Sequence, residues 1–313
     1  MIVAFDTNVY RNLASRKSIQ DAKRQLEEIK EKENEKNITS MMSTTVAMEL
    51  LSHLLDKKDS ISFVACHKAC QLIYQHCGDP HGFRVLPLPE TQISMEYFGI
   101  QNKQFQDTQI AIGQLLYRIY RDPSMNTITQ ISSDIQKIKN FIHDAEATLI
   151  TSIEEMCRKI DPSFSNWTLF KDDDKKRKSF LSFVRSDNFK RETALAYLCA
   201  INLKLISQGY NVSLTEDMIK DMCSTYLESY SASLEFRSWV FCQLVNGGFD
   251  LSKNSRTNFL WDELILHLVG HKCDENPICL ITSDKKMIEG TRRSKSKGLI
   301  MNLNNYLKYL GIS

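Results

Sequence analysis

The stretch Met1-Ile2-Val3-Ala4-Phe5-Asp6 has the pattern of a buried strand that ends in a carboxylate. A second apolar run, Ile278-Cys279-Leu280-Ile281, occurs late in the chain and is followed by Thr282-Ser283-Asp284. Short, continuously apolar runs with polar ends are typical of parallel strands that are covered on both faces. Because the carboxyl ends of parallel strands meet at one edge of a sheet, we expect Asp6 and Asp284 to lie close together.

Size and composition are those of a globular protein. The 313 residues can bury a substantial core, and the hydrophobic (42%) and charged (25%) fractions are ordinary. The net charge is +2, so any evidence for a nucleic acid partner has to be local. The chain contains no run of about 20 apolar residues, and Asp6 interrupts the N-terminal run before a signal peptide is formed. We therefore expect a cytoplasmic protein without a membrane partner.

Nine cysteines are scattered through the chain without any C-x-x-C spacing. This usage is typical of reduced thiols in a core rather than of a disulfide framework. The densest cluster, Cys66-His67-Lys68-Ala69-Cys70 followed by His76-Cys77, has the residue types of a zinc site. However, its cysteines recur at helical spacing together with Phe63 and Ile73, so we favour core packing.

The order of the remaining elements predicts an α/β sheet interrupted by helices. The sheet domain is expected over 1–104 and 255–313, and an all-helical insertion over 105–254. Further strand patterns cover 38–43, 83–88 and 299–303, and helical patterns cover 9–36, 61–77, 107–121, 128–160, 188–208 and 215–245. The polar stretch 161–178 separates two of the helical patterns.

Two further carboxylates occupy early turns of predicted helices. Glu49 follows a helix cap at Thr44 or Thr45, and Asp262 follows a cap at position 257 or 258. Each acid alone could simply stabilise a helix end. Four acids at one sheet edge would repel one another unless a cation neutralised them.

Carboxylate oxygens select Mg²⁺ or Mn²⁺, and no histidine or cysteine is placed to make a zinc site there. Ions held in this way support phosphodiester cleavage, because they lower the pKa of a bound water and stabilise the leaving oxygen. The pattern therefore favours a metal site. Its expected ligands are Asp6, Glu49, Asp262 and Asp284.

Taken together, these motifs resemble a PIN domain, the fold of toxin ribonucleases in bacterial toxin–antitoxin pairs and of RNA-processing enzymes. The resemblance covers about 1–104 and 255–313. It is carried, in order, by Asp6-Thr7-Asn8 after a strand, Thr45-Val46-Ala47-Met48-Glu49-Leu50 opening a helix, Val85-Leu86-Pro87-Leu88 as a third strand, Asn258-x-x-x-Asp262 on a late helix and Ile281-Thr282-Ser283-Asp284 after a strand.

The resemblance implies a PIN-like parallel sheet flanked by helices and a metal-dependent endoribonuclease that leaves a 5′-phosphate. It assigns all four acids to the catalytic and metal site, Thr282 to a supporting hydroxyl and Asn8 to a polar neighbour of the first acid. Glu263 points away from Asp262 on a helix, so we expect it on the surface. A DNA flap or single-strand nuclease and a non-catalytic RNA-binding scaffold remain open.

The partners that the resemblance implies are an RNA substrate and, for a toxin or defence effector, an antitoxin, a defence-complex partner or a second copy of the chain. Compact members of the family lack the insertion at 105–254. The insertion could narrow access to the site, recognise a particular RNA or mediate assembly.

Two basic stretches are candidates for RNA contacts, although a charge run is usually only solvated. One is a loop at the predicted catalytic edge, and the other lies on the insertion. Tyr10, Trp167 and Trp261 are expected in the core rather than stacked on bases, and Asp172-Asp173-Asp174 in a solvated loop. The first stretch contains Lys285, Lys286, Arg292, Arg293, Lys295 and Lys297, and the second contains Lys175 to Lys178, Arg185, Lys190 and Arg191.

Overall fold

Helices flank a small, mainly parallel sheet in the computed structural model, which describes residues 1–15, 18–79, 82–247, 259–269, 271–273 and 276–312. The strands are β1 (Ile2–Phe5), β2 (Thr39–Ser40), β3 (Met42–Ser43), β4 (Gly78–Asp79), β5 (Gly82–Phe83), β6 (Val85–Leu86), β7 (Lys272–Cys273), β8 (Asn276–Thr282) and β9 (Ile300–Asn302). The predicted α/β class is confirmed.

The α-helices supply most of the described structure. They are α1 (Thr7–Ser15), α2 (Ile19–Glu35), α3 (Thr44–Ser52), α4 (Ile61–Cys77), α5 (Pro89–Phe98), α6 (Lys103–Arg121), α7 (Met125–Gln130), α8 (Ser132–Ile160), α9 (Leu169–Asp172), α10 (Asp174–Val184), α11 (Asp187–Ser207), α12 (Glu216–Ser229), α13 (Ser231–Val245), α14 (Phe259–Leu266), α15 (Lys285–Gly290) and α16 (Leu303–Leu310). Within the described ranges, no helix is both long and apolar enough to cross a bilayer.

Strand β1 lies at the centre of the sheet. It pairs in parallel with β2 on one side and with β8 on the other, and Phe5 lies opposite Ile281. Beyond β8 the sheet continues with β9, which is parallel, and β7, which is antiparallel. The chain then passes from β2 to β3 through Met41, whose N–H donates to the Val3 carbonyl at 2.9 Å, and β3 pairs in parallel with β6. The carboxyl ends of β1, β3 and β8 therefore point to the same edge.

The two apolar runs are buried as their composition predicts. All residues of β1 are buried, and so are Ile278 to Thr282 of β8. Helix α4 also confirms the expected packing of the cysteine cluster, because the cysteine-bearing face points into the core. Its buried residues include Phe63, Cys66, Cys70, Ile73 and Cys77.

Three elements of the first half differ from their predicted bounds. The strand predicted over 38–43 is two strands, β2 and β3. The single helix predicted over 9–36 is two helices, α1 and α2, and the second begins where the Ser18 hydroxyl accepts a hydrogen bond from the Asp21 N–H at 3.1 Å. The strand predicted over 83–88 is divided between β5, which forms an antiparallel pair with β4, and β6.

The cap of α3 also differs from the prediction. Ser43, whose hydroxyl accepts from a backbone N–H of the first turn, takes the place of Thr44 or Thr45. The predicted caps of the late helix, Thr257 and Asn258, lie outside the described residues.

The predicted helical patterns of the insertion are present, but they break at more points than expected. The pattern over 128–160 is divided into α7 and α8, and that over 215–245 into α12 and α13. The polar stretch 161–178 contains α9 and part of α10. Asp173 does not lie in a solvated loop, because its carboxylate caps α10 by accepting from the Lys176 N–H at 3.0 Å.

The insertion and the sheet share buried apolar contacts. One cluster of core side chains includes Phe5 and Ile281 from the sheet together with Phe170, Phe189 and Phe241 from the insertion. The predicted division at 105 and 254 is therefore crossed by a continuous core.

Helix α13 joins the insertion to α14, the helix that carries Asp262. Arg237 Nη1 of α13 lies 2.9 Å from Glu263 Oε1, and the Tyr197 hydroxyl donates to the same oxygen at 2.8 Å. The prediction that Glu263 lies on the surface is wrong, since the residue is only 2% exposed. Its face of α14 is covered by α11 and α13, which the sequence pattern of α14 alone does not reveal.

A second buried charge, Glu33, lies on α2. The second half of this helix is rich in lysine and glutamate, a pattern that is typical of a solvated face. Glu33 accepts hydrogen bonds from Ser40 at 2.5 Å and from Tyr306 at 2.7 Å, and it contacts His76 Nε2 at 2.9 Å. Burial alone would lower the pKa of His76, but the negative charge of Glu33 raises it to about 10. The pair joins α2, α4, α16 and β2 beneath the sheet.

We expect Glu33→Gln to destabilise the protein by about 3 kcal/mol or more near neutral pH, because it leaves a buried imidazole without its counter-charge. A histidine with a raised pKa contributes stability that is complete below its unfolded value and is lost as the pH approaches 10. In urea unfolding, the loss of unfolding free energy caused by Glu33→Gln should therefore be smaller at pH 10 than at pH 7. The exposed Glu31→Gln on the same helix serves as control, and equal costs for both variants would contradict the account.

Candidate active site

Four separate segments bring carboxylates toward the carboxyl edge of the sheet. Asp6 follows β1, and its N–H donates to the Ile281 carbonyl of β8 at 2.9 Å. Glu49 lies in α3, Asp262 in the first turn of α14, and Asp284 directly after β8. Parallel pairing places the first and last of these acids at neighbouring strand ends.

Asp6 is buried and held from several directions. The Thr282 hydroxyl donates to its Oδ2 at 2.8 Å, and the backbone N–H groups of Thr7 and Asn8 also donate to its carboxylate. Burial nevertheless raises the pKa of Asp6 to about 6, with a further contribution from the charge of Asp284. Thr282 thus lies where a supporting hydroxyl was expected, whereas the hydrogen bond from Asn8 comes from its backbone.

Glu49 is oriented by the first turn of α1. The Thr7 hydroxyl donates to Glu49 Oε2 at 2.6 Å. Burial is the main reason that the pKa of Glu49 rises to about 7, and the charges of Asp6 and Glu146 raise it further. The guanidinium of Arg11, one helical turn after Thr7, opposes the rise.

Asp262 experiences the charges of all three other acids. Burial is the main reason that its pKa lies well above the ordinary value. Repulsion from Asp6, Asp284 and Glu49 raises the pKa further, and the positive charge of Lys286 lowers it. Among the residues that the structure describes, none donates a hydrogen bond to this carboxylate. A carboxylate in such surroundings is stabilised by a proton or a cation.

Asp284 caps the helix that follows it, in addition to lying near the other acids. Its Oδ1 caps α15 by accepting from the N–H groups of Lys286 at 2.6 Å and Met287 at 3.2 Å. The Thr282 hydroxyl, which donates to Asp6, accepts from the Asp284 N–H at 2.9 Å. Thr282 therefore couples the two strand-end acids.

The chemistry of these donors fits a hard divalent cation. Burial is the largest cause of the raised pKa values of Asp6, Glu49 and Asp262, and repulsion among the acids adds to it. A Mg²⁺ or Mn²⁺ ion would neutralise this concentration of negative charge. In the described ranges, no three histidine, cysteine, aspartate or glutamate side chains already form a ready-made metal-binding group.

Three charged residues near the acids were not part of the predicted metal site. Arg11 on α1 and Glu146 on α8 act on Glu49, and Lys286 on α15 acts on Asp262. Only Lys286 was singled out from the sequence, as a candidate RNA contact. Arg11 follows Thr7 by one turn, a spacing that indicates a shared face, but nothing in the sequence shows what that face meets.

The basic stretch after Asp284 is more ordered than the predicted loop. Lys285 and Lys286 lie on α15, and Lys297 begins a short 3₁₀ helix. All six basic side chains are exposed, and Lys295 pairs with the equally exposed Glu228 at 3.2 Å. Such an exposed pair contributes little to stability.

Several cations of the second basic stretch have acidic partners within the insertion. Lys176 pairs with Asp161 at 3.2 Å, and Lys178 pairs with Asp174 at 2.7 Å. Lys190 pairs with Glu235. These pairs leave the first stretch as the stronger candidate for phosphate contacts, since it also begins at the acidic site.

The chain matches none of the family models, curated proteins or solved structures with which it was compared.

The buried carboxylates give the metal-free protein a specific pH dependence. A carboxylate with a raised folded pKa contributes stability that is complete below its unfolded value and is lost as the pH rises through the folded value. In EDTA, the melting temperature should fall between pH 4 and 8. Since one pKa unit corresponds to about 1.4 kcal/mol and the pKa of Glu49 rises from 4.5 to about 7, Glu49→Gln should raise the free energy of unfolding at pH 8 by about 3 kcal/mol.

The Asp59→Asn variant is the control. Its melting temperature should depend on pH as that of wild type does, because the Asp59 side chain is exposed. If Glu49→Gln and wild type have the same free energy of unfolding at pH 8, the ionised Glu49 carboxylate does not destabilise the folded protein.

Proposed function

We propose that the protein is a metal-dependent endoribonuclease with a PIN-like site made by Asp6, Glu49, Asp262 and Asp284. One observation carries the proposal: carboxylates from four separate segments converge at the carboxyl edge of a parallel sheet, where burial, followed by repulsion among the acids, raises the pKa values of Asp6, Glu49 and Asp262. Such an arrangement costs stability, and costly charge clusters of this kind are typical of functional sites.

The four acids would hold one or two Mg²⁺ or Mn²⁺ ions, and these would supply an activated water and neutralise charge on the reacting phosphate. The protein's own residues orient the ligands. Thr282 holds Asp6 while it is itself fixed by the Asp284 N–H, and Thr7 holds Glu49.

Positive charge flanks the acids on two sides. Arg11 lies on the side of Glu49, and Lys286 on the side of Asp262. Cations at these positions suit the phosphates on either side of a scissile bond. The exposed residues Lys285, Arg292, Arg293, Lys295 and Lys297 would extend the phosphate path along the chain that follows Asp284.

RNA is the proposed substrate because the sequence motifs resemble those of PIN ribonucleases. A role as a toxin or defence effector, with an antitoxin, a defence-complex partner or a second copy of the chain as partner, remains a prediction of the same resemblance. The DNA nuclease and the non-catalytic RNA-binding scaffold are the alternatives.

Asp6→Asn should lower Mn²⁺-dependent cleavage of single-stranded RNA by about a hundredfold or more, because it removes a central ligand charge and keeps the side-chain volume. Cleavage rates are measured with purified protein at a fixed Mn²⁺ concentration. Asp59→Asn is the matched exposed control and should cleave like wild type. Equal rates for Asp6→Asn and wild type would exclude the proposed site.

Matched RNA and DNA oligonucleotides separate the alternatives in the same assay. Faster cleavage of the DNA strand would favour the DNA nuclease. Binding of RNA without cleavage by the wild-type protein, at any Mn²⁺ concentration, would favour the scaffold.

A further inference from the structure

Helix α8 of the insertion carries a carboxylate on its inner face. Apolar residues recur along that face at intervals of three and four residues, and Glu146 takes the place between Ile142 and Leu149 where a further apolar residue is expected. The buried members of the stripe include Ile135, Ile138, Ile153 and Cys157. Glu146 is partly buried, so its carboxylate loses part of its hydration on this face.

Glu146 is held in place by the helix that carries Asp262. The indole N–H of Trp261, the residue before Asp262, donates to Glu146 Oε1 at 2.9 Å. Trp261 itself is only 5% exposed, so the indole is a fixed donor. Two turns earlier on α8, Lys139 pairs with Asp56, which follows α3, at 3.1 Å. These contacts dock α8 against both α3 and α14.

The remaining oxygen of Glu146 has no such partner. Across the described ranges no residue donates a hydrogen bond to Oε2, and no cationic side chain forms an ion pair with this carboxylate. The charge is nevertheless close enough to Glu49 to act on it. A neutral indole donor fixes the direction of the side chain without neutralising it.

We propose that Glu146 is a fifth carboxylate of the cation site, positioned by Trp261, so that the insertion completes the site instead of merely adjoining it. This inference rests on the proposed function. Glu146 lies on the side of Glu49 and α14, which makes α8 one wall of the site. The substrate would then approach from the side of α15, where the exposed basic residues lie.

Mn²⁺ binding tests the inference without relying on turnover. Glu146→Gln removes the charge, but its amide oxygen can still accept from the indole. Mn²⁺ titration followed by electron paramagnetic resonance should show an affinity about tenfold weaker than wild type for this variant. Trp261→Phe, which keeps an apolar ring but loses the donor, should weaken binding by a smaller factor. Glu155→Gln, at an exposed position on the same helix, should bind like wild type.

The folding control is thermal unfolding in EDTA, in which Glu146→Gln should be about as stable as wild type, because Glu146 is only partly buried and the glutamine can keep the hydrogen bond to the indole. Mn²⁺ affinity unchanged in Glu146→Gln but lost in Asp6→Asn would overturn the role of Glu146 and leave the proposed function intact. Equal Mn²⁺ binding by wild type and Asp6→Asn would remove the proposed function, and the role of Glu146 with it.

Discussion

Parallel pairing between β1 and β8 brings two distant segments of the chain to the same edge of the sheet. In this register Phe5 lies opposite Ile281, so the residues that follow, Asp6 and Thr282, are joined by a hydrogen bond of 2.8 Å. Helices α3 and α14 add Glu49 and Asp262 to the same edge. The fold thus concentrates negative charge at this edge, where burial and, after it, repulsion among the acids raise the pKa values of Asp6, Glu49 and Asp262.

The sequence predicts the features that depend on local pattern. The continuously apolar runs of β1 and β8 identify buried parallel strands, and the helical spacing of Cys66, Cys70 and Cys77 identifies a core face. Features that depend on distant partners are missed. Glu33 lies within a charged stretch that looks solvated, yet the polar groups that satisfy it come from other elements. Glu263 is buried by helices that are distant in sequence.

The inner face of α8 carries a signal of the site in its sequence. Glu146 interrupts an otherwise apolar series, and such an interruption indicates either a satisfied buried charge or a functional group. Only the position of Trp261 shows where the carboxylate points. Residues 105–254 also share core side chains with the sheet, so their removal would expose apolar surface.

The central claim is that carboxylates from separate segments hold a divalent cation at the carboxyl edge of the sheet. Anomalous diffraction from crystals grown with Mn²⁺ tests it most directly, because the scattering locates the ion without reference to activity. The account predicts a peak within about 2.5 Å of oxygens from Asp6 and at least one of Asp262 and Asp284. Mn²⁺ bound only elsewhere on the surface, with these carboxylates free of metal, would contradict it.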